Sequence, residues 1–144
     1  MKTWTDYVVD EAISVKLIGK YGFEIKDYDN TFSCEKMPQG FKIKIINIRS
    51  SFIEKKTTKI IGQIVLSINE MEEFKDWIHS LLQRSFRGPI DFEIKTSDAL
   101  LKCDKLSYGL TIKIYNKKAS ESTPSEFLLG LNEMEKLDDW MHGY

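Results

Sequence analysis

Two histidines, two cysteines and a set of lysines interleaved with aromatic rings are the groups in this 144-residue chain whose types and spacing could do chemistry. His79 and His142 each follow a tryptophan by two residues, in Asp76-Trp77-Ile78-His79 and Asp139-Trp140-Met141-His142. An imidazole near a helix C-terminus is electrostatically comfortable. A metal centre wants Cys, His and Asp at ligand spacing, and along the chain no such spacing stands out. Cys34 and Cys103 fall at strand positions beside apolar neighbours, where a thiol behaves as a small buried hydrophobe. Nucleophilic use would need a positioned base, and no motif supplies one. Gly40 and Gly109 read as turn residues, not as parts of a phosphate loop. The expectation is a non-enzyme with no catalytic residue, no metal and no cofactor.

Charge is the second source of chemistry. Between Phe41 and Ile61 stand Lys42, Lys44, Arg49, Lys55, Lys56 and Lys59 against a lone acid, Glu54. A second basic stretch ends in Lys113, Tyr115, Lys117 and Lys118. A basic face bearing aromatics suits single-stranded nucleic acid, because lysines track phosphates and rings stack on bases. These nine cations, with Tyr115 as the stacking ring, are the candidate contacts, and single-stranded DNA or RNA is the expected partner. The same lysines also suit the solvated face of an antiparallel sheet, where they guard against aggregation. The segments Asn69 to His79 and Asn132 to His142 are acidic, which offers an alternative partner, a basic protein. Glu70, Glu73, Asp76, Glu133 and Asp138, or an exposed strand edge, would carry that interaction or inhibitor role.

These groups recur because the chain repeats itself. Phe23-Glu24-Ile25-Lys26 returns as Phe92-Glu93-Ile94-Lys95 at an offset of 69. Held there, Cys34 matches Cys103, Gly40 matches Gly109, and Ile43-Lys44-Ile45 matches Ile112-Lys113-Ile114. From Phe23 to Asn47, 12 of 25 positions are identical, where average residue usage gives roughly one or two. The match resumes at an offset of 63. There Asn69-Glu70-Met71-Glu72 returns as Asn132-Glu133-Met134-Glu135, Asp76-Trp77 as Asp139-Trp140, and His79 as His142. A length change between the two registers belongs in a surface loop.

Periodicity supplies the elements. Phe41 to Ile48 and Leu110 to Asn116 alternate at period two, with Phe41, Ile43, Ile45 and Leu110, Ile112, Ile114 on one face. Phe23 to Lys26 and Phe32 to Met37 read as shorter strands separated by turn residues. Ile60 to Ile68 is a fourth strand, with Ile64, Leu66 and Ile68 inward, and Glu126 to Leu131 is its copy. After Asn69 the period becomes helical, with Met71, Phe74, Ile78 and Leu81 on one stripe and Trp77 and Leu82 flanking it. Asn69 with Glu72, and Asn132 with Glu135, would form capping boxes. Trp77 and Trp140 read as core. Upstream, Trp4, Tyr7, Val8, Ala12, Val15 and Ile18 fit one helical face, although Ile13 to Ile18 also suits a strand.

The expected architecture is α+β: an internal duplication of a β-β-β-β-α unit, giving two antiparallel sheets and two long helices, plus a short N-terminal helix. Residues 1–22 form an extension, 23–83 the first repeat, 84–91 a linker and 92–144 the second repeat. A unit of some 55 residues buries too little surface to be comfortable alone, so both should pack as one pseudo-symmetric domain.

Within the repeat, Ile64-Val65-Leu66-Ser67-Ile68-Asn69-Glu70-Met71-Glu72-Glu73-Phe74-Lys75-Asp76-Trp77 resembles the last strand and acidic helix of the transcriptional positive-cofactor-four family. A tandem pair of such units is similar to the plant Whirly proteins and to the mitochondrial guide-RNA-binding proteins of the same fold. The resemblance implies non-catalytic binding of single-stranded nucleic acid on curved sheets, by dimers or tetramers. The Lys-Gly-Lys-Ala-type motif of Whirly second strands is absent from Thr31 to Met37.

Composition agrees with a globular chain. Apolar residues make up 42% and charged residues 30%, and 21 basic side chains nearly cancel 22 acidic ones, which excludes a histone-like protein. No apolar run approaches the roughly 20 residues of a membrane span. The start, Met1-Lys2-Thr3-Trp4-Thr5-Asp6, lacks the layout of a signal peptide. Two cysteines are too few for a disulfide scaffold. The expected setting is the reducing cytoplasm.

Overall fold

The computed structural model describes residues 13–18, 21–27, 30–49, 57–83, 86–117 and 124–143. Nine strands and two helices follow in chain order. Strands β1 (Ile13–Ile18), β2 (Gly22–Asp27), β3 (Asn30–Met37), β4 (Gly40–Arg49) and β5 (Thr57–Ser67) lead into helix α1 (Ile68–Leu81). Strands β6 (Asp91–Lys95), β7 (Ala99–Leu106), β8 (Gly109–Asn116) and β9 (Ser125–Gly130) lead into α2 (Leu131–Met141). The protein is α+β, with a five-stranded sheet in the order β1-β2-β3-β4-β5 and a four-stranded sheet in the order β6-β7-β8-β9. All neighbours are antiparallel.

The two halves pair in the same register. Phe23 faces Cys34 and Cys34 faces Ile43; in the second sheet Phe92 faces Cys103 and Cys103 faces Ile112. Gly40 lies opposite Ser67, and Gly109 opposite Gly130. A β-carbon at Gly40 or Gly109 would fall 1.9 Å from the carbonyl oxygen of Leu66 or Leu129, so only glycine lets each hairpin close. The backbone hydrogen bond Lys36 N–Tyr21 O, 2.7 Å, has its counterpart in Lys105 N–Ile90 O, also 2.7 Å. Matching residues thus fall at matching places, as the offsets of 69 and 63 require.

The inward faces are those the alternation marks. Phe41, Ile43, Ile45, Leu110, Ile112 and Ile114 are all buried, and they belong to one apolar cluster that runs through both halves. Helix α1 packs on β4 and β5 and reaches β6 of the other sheet; α2 packs on β8 and β9 and reaches β2. The tryptophan of each helix crosses to the opposite half: Trp77 stacks on Phe92 at 5.1 Å between ring centroids, and Trp140 lies 5.5 Å from Phe23. Phe23 and Phe92 hold equivalent places in the sequence repeat, as do Trp77 and Trp140, so the helix-to-strand contact is made once in each direction. Lys36 donates to the Trp140 carbonyl at 2.8 Å, and burial, with Lys75 nearby, lowers its pKa.

Several expectations are corrected. Ile13–Ile18 is a strand paired along its length with β2, so a helix through Val15 and Ile18 does not form. Residues 1–12, on which the rest of that helix falls, lie outside the described residues. Ile68 is half exposed, not inward, because the strand ends at Ser67 and Ile68 opens the helix. The cap of α1 is Ser67 with Glu70, a complete capping box, and not Asn69 with Glu72. The cap of α2 is Gly130, which offers no side-chain bond, so Asn132 and Glu135 form no box either.

Candidate nucleic-acid interface and a histidine–aspartate cluster

Strand β4 turns Lys42 and Lys44 to the face opposite the core, where both are half-buried. Their neighbours follow from register. Lys42 lies opposite Glu35, while Lys44 lies opposite Ser33, which in turn faces Glu24. Lys26 occupies the same face, opposite Thr31. The outward side of the first sheet therefore holds Lys26, Lys42 and Lys44 among two carboxylates. Arg49 and Lys59 are placed by their backbones near one end of the β4–β5 ladder, Arg49 opposite Thr57 and Lys59 opposite Asn47. Lys55, Lys56 and Lys118 lie outside the described residues.

On the second sheet the expectation of a basic face fails. Lys113 sits opposite Lys102, a like-charge pair that is unfavourable alone. Glu93 opposes Lys102 and Glu126 opposes Lys113, so the row reads acid, base, base, acid and is neutral. Asp91 and Asp104 face one another in the next row. From Phe92 to Lys118 the sequence carries six basic residues and three acids, but strand pairing adds Asp91 and Glu126 from outside that stretch. Tyr115 is half-buried on this face, and Lys117 is exposed just beyond β8.

A polar seam joins the sheets. Asn116 Nδ2 donates to Gln63 O at 2.8 Å and its Oδ1 accepts from Gln63 N at 3.2 Å, which satisfies the free edge of β5 there. Ser125 Oγ donates to the Ile61 carbonyl. A β-carbon at Gly62 would fall 2.7 Å from the β-carbon and Oγ of Ser125, so glycine is what permits this approach. Tyr115 is one residue from the seam. Exposed apolar residues also collect on the edge strands and helix starts: Val65 and Ile68 in the first half, Leu128 and Leu131 at the equivalent places in the second.

The acidic helices carry fewer free carboxylates than expected. Asp138 is only 7% exposed and does not belong to a solvated face. It lies between the two histidines: its Oδ2 is 3.0 Å from His79 Nδ1 and its Oδ1 is 3.2 Å from His142 Nδ1. The imidazole rings are 4.9 Å apart between centroids. Sequence reasoning set metal ligation aside, yet these three side chains converge, with donor atoms all within 4.8 Å of one another. Two signals in the sequence point there: Asp138 and His142 stand four apart on one helix, and His79 and His142 hold equivalent places in the repeat.

Cys34 and Cys103 are buried and free, and burial raises both thiol pKa values, Asp104 adding to the rise at Cys103. Neither is poised as a nucleophile. Among the described residues no helix is long and apolar enough to cross a membrane. No protein-family model matches the chain, and no curated protein or solved structure is significantly similar to it.

Proposed function

We propose that this protein is a non-catalytic binding module whose ligand is single-stranded nucleic acid, taken on the outward face of the five-stranded sheet. The observation that carries the reading is the alternation of Lys42 and Lys44 on the outward side of β4, with Lys26 on the same face and Arg49 and Lys59 near the end of the adjoining ladder. A strand crossing that face would have phosphate partners and, across the Gln63–Asn116 seam, the Tyr115 ring and Lys113. The reading takes the two halves as copies of one unit and draws on the likeness of that unit to the positive-cofactor-four and Whirly architecture. Glu24 and Glu35 limit the electrostatic component, so the affinity should be modest and rest partly on stacking.

Each phosphate contact on a single strand contributes about −0.7 to the slope of log K against log salt. Fluorescence anisotropy with a labelled oligo-dT or oligo-U at two salt concentrations tests this. The expected result is a slope of about −1 to −3, with single strand preferred to duplex. Binding that ignores salt, or favours duplex, contradicts it.

A protein partner is the second reading. It is favoured by the paired exposed residues Val65/Leu128 and Ile68/Leu131, which present apolar surface at equivalent edges of both sheets. Capture that survives nuclease treatment and is lost with Val65→Lys and Leu128→Lys would select it.

A further inference from the structure

We infer that His79, Asp138 and His142 form a binding site for one first-row divalent cation of the Zn2+ type, independent of the sheet face. Two imidazoles and a carboxylate are a donor set such ions accept, leaving a position for water. In a tetrahedral site with bonds of about 2.0–2.2 Å, donor atoms lie roughly 3.3–3.6 Å apart. The two nitrogen–oxygen separations here, each to a different carboxylate oxygen, are 3.0 and 3.2 Å, and one donor atom from each residue lies within 4.8 Å of the others, so an ion would draw the imidazoles together by up to about an ångström.

Three further observations favour a cation. Asp138 Oδ1 is buried and accepts no hydrogen bond, because His142 Nδ1, 3.2 Å away, donates to the Asp138 backbone carbonyl instead, so a carboxylate lone pair is held against the histidines. His79 lies in the last turn of α1 and His142 is the C-cap of α2, so the negative ends of two helix dipoles converge on the cluster. The site is also approachable, since the His79 side chain is 53% exposed. The arrangement is one-sided: the residue equivalent to Asp138 is Lys75, which pairs with Glu72 at 3.0 Å, so a single carboxylate serves both histidines and one ion is expected per chain.

His142 Nδ1 lies 2.8 Å from the backbone carbonyl of Asp138 and so donates to it. Ligation through Nδ1 needs the tautomer that carries its proton on Nε2, so the ion takes the place of that hydrogen bond.

Chelator-treated full-length protein titrated with Co2+, and with Zn2+ in competition with a chromophoric chelator, tests the site. The expected result is 1:1 binding, a visible d–d absorption from Co2+ in a tetrahedral or five-coordinate setting, and no thiolate charge-transfer band. Loss of a second-shell partner commonly weakens a metal by about 10–100-fold, so loss of a ligand should cost at least tenfold. His79→Gln, at an exposed position, should do so without loss of fold, and Asp138→Asn should match it if it folds. Absence of stoichiometric binding, a thiolate band, or unchanged affinity in His79→Gln overturns the inference.

Discussion

The indole of Trp77 stacks on the ring of Phe92 at 5.1 Å, joining the helix of one half to the first strand of the other. Trp140 and Phe23 repeat the contact in the opposite sense. The repeats are therefore cross-linked by their largest side chains, and the core cannot be divided between them.

Trp77→Ala should cost about 3–5 kcal/mol, the range for a large aromatic removed from a core, and Trp140→Ala about the same. Urea unfolding of each variant should remain a single transition, because the same apolar cluster serves both halves. Two separated transitions would show that the halves fold independently.

The caps differ by one residue, and the difference is measurable. Ser67→Ala removes the side-chain bond to Glu70 N and should destabilise by about 1 kcal/mol. Gly130 has ordinary extended backbone at φ −78°, and a side chain there would meet only the flexible end of Glu133. Gly130→Ser should therefore stabilise by about 0.5–1 kcal/mol, from a restored box and a less flexible unfolded chain. Midpoints of thermal unfolding would report opposite shifts.

Gly40→Ala and Gly109→Ala should each abolish or severely weaken folding, since either methyl would overlap a backbone carbonyl that cannot retreat without opening its hairpin. Circular dichroism of the purified variants would show the loss of cooperative melting. A mild effect at one glycine and a severe one at the other would contradict the matched registers.

Burial raises the Cys34 and Cys103 pKa values above that of an unfolded thiol, about 8.5. The folded state then holds protons that the unfolded state releases, so the contribution is fully present below about pH 8.5 and is lost as pH rises. The loss should reach at most about 1.4 kcal/mol per pH unit for each thiol. Urea midpoints at pH 7 and pH 9.5 should fall between the two, and Cys103→Ala should flatten the change.

Much of the fold was legible because strand alternation and helical period are local properties. Phe41, Ile43 and Ile45 alternate unambiguously, and the offsets of 69 and 63 carried that reading into the second half. The junction between β5 and α1 was less legible: Ser67–Glu70 and Asn69–Glu72 both fit a capping box, and alternation runs on through Ile68 with nothing local to stop it. Val15 and Ile18 satisfy a helical stripe by coincidence, and pairing with β2 decides for strand. The surface was least legible, since the acids that neutralise Lys102 and Lys113 stand on other strands. Asp138 reads as one more acid on an acidic helix until the packing of α1 against α2 brings His79 to it.

Amide chemical-shift mapping with a short oligo-dT decides whether the outward sheet face takes the nucleic acid. Perturbations should be concentrated at Lys42, Lys44, Gln63 and Val65 on the outward side of the five-stranded sheet, and reduced by Lys42→Glu combined with Lys44→Glu. Perturbations confined to α1 and α2, or none at millimolar oligonucleotide, would contradict it.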